Sequence, residues 1–171
     1  MKLLNKLKFQ LILTGLGLAL GLGGVAPASI AANQAGLIIP LRDRGASTLY
    51  VTAQIGSLGN TELMVDTGSG YMTINEDSLA KLQQQGEVTF VKKIGGVLAN
   101  GARLVVPVWR IQRISLKGGC EIRNVEAAVF PGKTRQILGL SALKKASPMT
   151  LSFNPPQLTL RNCQQAAASA L

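Results

Sequence analysis

The sequence contains no histidine, only two cysteines and only eight acidic residues among its 171 positions. Without histidine the chain cannot form a Ser-His-Asp or Cys-His catalytic group, a histidine-ligated zinc site or an imidazole acid-base catalyst. Two cysteines cannot complete a four-cysteine zinc site or an iron–sulfur cluster. If the chain is an enzyme, its chemistry must come from carboxylates, hydroxyls, lysine or tyrosine.

The few carboxylates give a short set of candidates for acid-base chemistry. The candidates are Asp43, Asp66, Asp77, Glu62, Glu76, Glu87, Glu121 and Glu126. Asp43 lies in a segment of turn composition, and Asp77 lies in the predicted first turn of a helix, where negative charge is favourable. Only Asp66 has a context typical of a catalytic carboxylate.

The first 31 residues predict a secretory signal peptide. Three lysines within the first eight residues precede an uncharged, Leu- and Gly-rich stretch over 9–25, and small residues follow it. This pattern predicts export and cleavage after Ala31. The alternative is an uncleaved membrane anchor, since about 17 apolar residues are the lower limit for a span. We expect a periplasmic or extracellular protein that meets the membrane only if the leader is retained.

Loss of the leader would lower the formal charge from +10 to +7 and leave about 140 residues, enough for one domain with its own core. The remaining basic residues are dispersed, which argues against a nucleic-acid partner. Export also bears on Cys120 and Cys163, which are 43 residues apart and could form a disulfide in an oxidising compartment. Two separate buried thiols are the alternative.

Short alternating segments predict an all-β, mainly β domain. Residues 32–36 are predicted to be a flexible start, 37–161 the domain, and 162–171 a frayed tail. The clearest strand is Leu49–Ile55, where apolar and polar residues alternate strictly. Other strands are predicted at 37–41, 61–65, 71–74, 88–91, 105–116, 125–130, 149–153 and 157–160, with a hairpin over 94–106. We expect eight to ten strands that can close into a barrel.

Two short helices and one proline complete this interpretation. Asn75 is expected to cap the first helix and Gly86 to end it, and the second helix is predicted around 141–146. The dipeptide Asn100-Gly101 predicts a tight hairpin turn. Pro107 indicates an edge or a bend in the strand that contains it.

The tripeptide Asp66-Thr67-Gly68 stands at the end of the apolar strand Leu63-Met-Val65. A loop at the end of a strand can present a carboxylate to a cleft. A catalytic carboxylate also needs a partner group, so that one member acts as base and the other as acid. By itself the tripeptide is an ordinary turn composition.

Three further features accompany it: Ser-Gly-Tyr-Met-Thr-Ile directly after the tripeptide, a Gly-rich hairpin ending in Ala99-Asn-Gly101, and Ile137-Leu-Gly139 about 70 residues after Asp66. Together these motifs resemble the retropepsin-like aspartic proteases, in particular their small exported or membrane-tethered bacterial group. The resemblance spans about Leu37 to Leu160. It implies a single-domain, closed acid-protease β-barrel with one or two short helices.

The resemblance also implies a role for each matching residue. Asp66 would be catalytic, Thr67 would hydrogen-bond across a two-fold axis, and Gly68 would allow close backbone approach and donate its N–H to the carboxylate. The flap over the substrate would include Leu98, Ala99, Asn100 and Gly101, and the active-site loop would be supported by Ile137, Leu138 and Gly139. The sequence departs from the usual family pattern at Gly70 and at Leu140-Ser-Ala-Leu143, and these differences leave the substrate preference open.

Ser69 supports a separate physical inference. A hydroxyl that donates to the outer carboxylate oxygen of Asp66 would favour ionisation and lower the apparent pKa values of a carboxylate pair. On that basis we expect an acidic pH optimum.

The sequence holds one Asp-Thr-Gly, so an active enzyme must be a homodimer with Asp66 from each subunit at the interface. We therefore expect an aspartic endopeptidase that hydrolyses a peptide or protein substrate without a metal or other cofactor. One alternative is an inactive retropepsin-like peptide-binding or dimerisation module of the cell envelope. Another is a small β-barrel that binds lipid or polysaccharide.

Overall fold

The computed structural model describes residues 36–97, 101 and 103–165. The predicted signal peptide, nearly all of the predicted flexible start and the last six residues of the predicted tail lie outside the described residues. No helix in the described ranges is long and apolar enough to cross a membrane.

Within these ranges the chain forms twelve strands, two α-helices and one turn of 3₁₀-helix. The elements, in chain order, are β1 Leu37–Pro40, β2 Arg42–Asp43, β3 Leu49–Ile55, β4 Asn60–Val65, β5 Met72–Asn75, α1 Glu76–Gln84, β6 Val88–Val97, β7 Arg103–Leu116, β8 Cys120–Phe130, β9 Ile137–Leu138, α2 Leu140–Leu143, the 3₁₀ turn Lys144–Ala146, β10 Met149–Phe153, β11 Pro156–Leu160 and β12 Gln164–Gln165. The mainly β prediction is confirmed, although the strand count exceeds the expected eight to ten.

The strand pairings form a closed ring. The ring runs β8–β5–β9–β4–β3–β7 and returns to β8, because β7 pairs with both β3 and β8. Strand β9 joins the ring through parallel pairing with β4 and antiparallel pairing with β5. Strands β1, β11 and β10 form a separate three-stranded antiparallel sheet.

The core fills this ring with side chains from alternate strand positions. In β3 the predicted alternation is confirmed, since Leu49, Val51, Ala53 and Ile55 are all buried. Leu63, Met72, Ile74, Ile111, Val125 and Leu138 are buried in the same cluster. Burial of large aliphatic side chains contributes roughly 1.5–3 kcal/mol each, so these positions account for much of the barrel's stability.

The helix α1 begins and ends where the sequence predicts. The Asn75 side chain accepts a hydrogen bond from the Ser78 N–H at 2.9 Å, which caps the first turn. Gly86 adopts a positive φ of 67° directly after the helix, and the Glu87 N–H bonds to the Leu82 carbonyl at 3.0 Å. Glycine is favoured there because a side chain is strained in that conformation.

Strands β6 and β7 form one long hairpin, so the strand predicted at 88–91 is present but is the first part of β6 and not a separate element. Pairing is continuous from Val88↔Ile111 to Val97↔Arg103, apart from a shift between Phe90 and Lys92. A bulge accommodates the extra residue without ending the strand. Pro107 pairs with β6 only, because pairing with β8 begins at Val108, which agrees with the expected edge position.

The predicted frayed tail is also partly wrong. Cys163 forms a disulfide with Cys120, the first residue of β8. Gln164 and Gln165 then pair with Glu121 and Cys120 as β12. The segment that follows β11 is therefore joined to the barrel by a disulfide and by backbone hydrogen bonds as far as residue 165. The predicted turn at 42–45 likewise contains a short strand, β2, which pairs with β3.

Candidate active site

Asp66 follows β4 directly and lies half-buried at the end of that strand. Its backbone N–H donates to the Leu138 carbonyl at 3.2 Å, and its own carbonyl accepts a bond of 3.4 Å from the Ser69 N–H. The carboxylate oxygen Oδ1 accepts a 2.8 Å hydrogen bond from the Gly68 N–H. The carboxylate is therefore oriented by the backbone of its own loop, as the resemblance implies for Gly68.

Strand β9 supports this loop from the other side. Ile137 and Leu138 pair in parallel with Met64 and Val65, the two residues before Asp66. Beyond β9, the Leu140 N–H donates to the Ser69 carbonyl at 2.8 Å. The Asp66 loop is thus hydrogen-bonded to the 137–140 segment on both sides of its turn, and a fixed carboxylate is what a preorganised site requires.

Glycine is needed at position 139 because two backbones approach closely there. A Cβ at this position would overlap the Tyr71 carbonyl oxygen and would lie 2.6 Å from the Tyr71 carbonyl carbon. It would also lie 2.9 Å from the Ser69 carbonyl oxygen. Neither backbone atom can rotate away as a flexible side chain could. Position 139 therefore admits only glycine while the loop keeps this path.

The expectation for the Ser69 hydroxyl is wrong. Its Oγ donates to the carbonyl of Tyr71 at 2.7 Å, and a hydroxyl has one proton to donate. The side chain therefore stabilises the turn after Asp66 and is not a donor to the carboxylate. The acidic pH optimum inferred from that donation loses its basis.

Thr67 and Gly68 are exposed, whereas Asp66 and Ser69 are half-buried. The contact of Thr67 with a second subunit stays a prediction. The other aspartates lie where the sequence places them, since the Asp43 carboxylate accepts from the Gly45 N–H at 2.7 Å and Asp77 lies in the first turn of α1. Each has a local structural role.

The β6–β7 hairpin occupies the place of the predicted flap. Leu98, Ala99 and Asn100 lie outside the described residues, and Gly101 has a positive φ of 82° between the two strands. This hairpin contributes Val106 and Val108 to a second apolar cluster, whose third buried member is Ala128 of β8. Tyr71, Ile94, Leu104 and Phe130 pack against them. The hairpin is therefore in contact with Tyr71, which follows the Asp66 loop.

Tyr71 and Ser141 connect the loop to its surroundings, and the sequence did not single them out. Lys92 Nζ lies 5.6 Å from the Tyr71 ring centroid, and the hydrogen bond with Tyr71 raises the pKa of Lys92 above its usual value. The Ser141 hydroxyl donates to the Glu126 carbonyl at 2.6 Å and accepts from the Met72 N–H at 2.7 Å. Hydroxyl residues at helix starts are a weak signal for such bonds, because many of them face solvent.

In the ranges that the structure describes, no three His, Cys, Asp or Glu side chains form a group that could hold a metal ion. The site is a single oriented carboxylate with a supported loop and a hairpin beside it. Such a group can act as a general base or acid on a water molecule when a second ionisable group completes it.

Residues 51–145 match the model of a protein family described as gag-polyprotein putative aspartyl protease. This range includes Asp66, the hairpin and the 137–139 segment. Among solved structures, the chain is similar to a retropepsin-like aspartic protease from Rickettsia conorii. That match has 18% sequence identity and a TM-score of 0.49, and it covers 72% of this chain and 88% of the other. No curated protein matches the chain.

Proposed function

The chain belongs to the gag-polyprotein putative aspartyl protease family, and on that premise we propose that it is an aspartic endopeptidase that acts as a homodimer. One observation carries the proposal: the Asp66 carboxylate is held by the Gly68 N–H at 2.8 Å in a loop that hydrogen-bonds to the 137–140 segment. This arrangement provides one half of a catalytic pair.

The second half comes from a second copy of the chain. The sequence contains one Asp-Thr-Gly, and Asp43 and Asp77 are engaged in a turn and a helix start. A two-fold dimer would bring two Asp66 carboxylates together, with Thr67 of each subunit bonding to the opposite loop. Two close carboxylates cannot both ionise readily, so they share one proton.

The chemistry then follows from the shared proton. The ionised carboxylate removes a proton from a bound water molecule, which attacks the peptide carbonyl. The protonated carboxyl stabilises the developing oxyanion, and a proton passes to the leaving nitrogen as the tetrahedral intermediate collapses. No covalent enzyme intermediate forms. The β6–β7 hairpin, including Gly101, would cover the substrate and exclude water.

The test is cleavage of a peptide pool across about pH 3 to 7 by the wild-type protein and by Asp66→Asn. We expect the substitution to reduce cleavage by about 10³-fold or more, because the pair then lacks its ionisable oxygens. Asp77→Asn is the matched control, since it removes an aspartate from α1 and should leave activity unchanged. Absence of Asp66-dependent cleavage would contradict the proposal and favour an inactive peptide-binding module.

We also propose that residues 1–31 direct export and that the enzyme works in the periplasm or outside the cell. The Cys120–Cys163 disulfide supports this, because disulfides persist mainly in oxidising compartments. N-terminal mass analysis of protein recovered from the cell envelope should show a chain that begins at Ala32. A soluble cytoplasmic protein with an intact leader would contradict export.

A further inference from the structure

Arg135 lies beside the strand that carries Asp66. It precedes β9 by two residues, and its Nη1 is 3.5 Å from the Sδ of Met64. Met64 is two residues before Asp66 and pairs with Ile137. Paired residues of neighbouring strands project to the same side, so Met64 and Ile137 share one face, and the Arg135 guanidinium contacts Met64 there. The Arg135 guanidinium thus lies next to the strand that leads into Asp66.

Arg135 has no acidic partner among the described residues. The basic residues that form ion pairs there are Arg42, Arg44, Lys92, Arg110, Arg113 and Arg123. The Met64 thioether is a weak acceptor, and a guanidinium carries five N–H donors. Arg135 therefore keeps most of its donors and its full charge for another group. A carboxylate fits this planar fork best, because it can accept two parallel hydrogen bonds.

The segment that carries Arg135 is fixed on both sides. Before it, the Gly132 N–H donates to Glu76 Oε2 at 3.1 Å, and Thr134 Oγ1 donates to the Pro131 carbonyl at 2.7 Å. After it, Gln136 Nε2 donates to Ser78 Oγ at 3.0 Å. Glu76 and Ser78 both belong to α1. Little ordering of the backbone would be needed when a ligand binds there, which favours affinity.

The side chains next to Arg135, Met64 and Ile137, are apolar and half-buried. Ile137 is half-buried, and its partner across the sheet, Thr73, is 4% exposed. A substrate side chain lying against Met64 and Ile137 would place its end at the Arg135 guanidinium. An acidic side chain would gain a charge-assisted hydrogen bond there, whereas a basic one would be repelled.

We propose that Arg135 is a specificity-determining residue that binds the carboxylate of an aspartate or glutamate side chain next to the scissile bond. This inference rests on the proposed function and names its substrate class, an acidic peptide. In a two-fold dimer each subunit supplies one Arg135, so the preference applies on both sides of the scissile bond.

The experiment uses three peptides that are identical except for the residue next to the cleaved bond, which is glutamate, glutamine or lysine. We expect the wild-type kcat/KM to favour glutamate over glutamine by about fivefold, the range of a solvent-exposed charge pair. Arg135→Gln should bring this ratio to about one, and Arg135→Glu should reverse the preference in favour of lysine. Arg161→Gln is the matched control, since Arg161 follows β11 in the separate sheet and the ratio should not change.

The outcomes are distinguishable. If cleavage depends on Asp66 but the glutamate-to-glutamine ratio is the same in wild type and Arg135→Gln, the inference is overturned. An equal loss of activity on both peptides would assign Arg135 a structural role and overturn it too. Absence of Asp66-dependent cleavage by the wild-type chain overturns the proposed function and, with it, this inference. Retention of the glutamate preference by Arg135→Lys supports recognition by charge.

Discussion

Three residues shape the Asp66 loop, and each contributes in a different way. Asp66 supplies the carboxylate, Gly68 supplies an N–H to it, and Gly139 supplies space. The last of these is steric, because the backbone of Tyr71 and Ser69 occupies the volume of a side chain at position 139. The path of the Asp66 loop therefore depends on the absence of a side chain at position 139.

The substitution Gly139→Ala should lower the free energy of unfolding by about 2–3 kcal/mol, since overpacking against backbone forces the loop or β9 to move. Urea denaturation of the purified protein measures this change. Gly95→Ala is the control, because Gly95 is in β6 with open space around its Cβ position, and it should change stability by no more than about 0.5 kcal/mol. Equal effects of the two substitutions would contradict the steric argument.

The sequence identifies those residues whose contacts are with near neighbours along the chain. The catalytic candidate Asp66 was found because a local motif marks it, and the Gly68 bond is local as well. The hydroxyl of Ser69 was assigned to the wrong acceptor. A serine hydroxyl can also donate to a nearby backbone carbonyl, and here it donates to that of Tyr71, two residues further on. Sequence spacing does not decide between acceptors of that kind.

At the scale of elements, periodicity predicted the strands that are long and half-buried, such as Leu49–Ile55. It missed β2, β9 and β12, because two residues show no period and each strand is set by its neighbour. It also divided the strand Val88–Val97, where the bulge between Phe90 and Lys92 shifts the alternation. Pairing partners and closure of the ring follow from tertiary contacts and not from local pattern.

Ion pairs to Glu62 help to hold the short strand β2 in place. The Glu62 carboxylate in β4 accepts from Arg44 Nη2 at 2.6 Å and from Arg42 Nη1 at 3.4 Å, across the intervening β3. The hydrogen bond from Arg44 and the two positive charges lower the pKa of Glu62 below its usual value. A folded-state pKa below the unfolded one means that this contribution is present above about pH 4.5 and is lost as the pH falls through the folded pKa.

We therefore expect Glu62→Gln to unfold at a lower urea concentration than wild type at pH 7, and the difference to shrink as the pH falls below about 4.5. Added salt should shrink the difference at pH 7, because the pair is exposed to solvent. Urea titrations at several pH values measure both effects. A difference that grows as the pH falls would contradict the assignment.

The whole molecule, as a single chain, carries one Asp-Thr-Gly aspartate, Asp66, in a half-exposed loop. Thr67 and Gly68, the exposed members of that loop, are the residues expected to meet the opposite subunit. Nothing in the sequence could state the subunit arrangement directly. The inference comes from counting, because a carboxylate pair needs two aspartates in matching contexts and the chain has one.

Mixing tests this dependence on a second chain. When wild-type protein exchanges subunits with an equal amount of Asp66→Asn, random pairing leaves about half of the original wild-type homodimers, and a ninefold excess leaves about one tenth. If the pair requires both carboxylates, total activity should fall to these fractions, because the mixed dimers carry only one. An active monomer predicts no loss at all, since added inactive chains would leave each wild-type chain as it was.

Sedimentation at the assay concentration identifies the species present, and the same mixture made with Asp77→Asn should keep full activity. Retained activity with a strictly monomeric wild type would require another partner for Asp66 within the same chain, and the sequence offers none in a matching context.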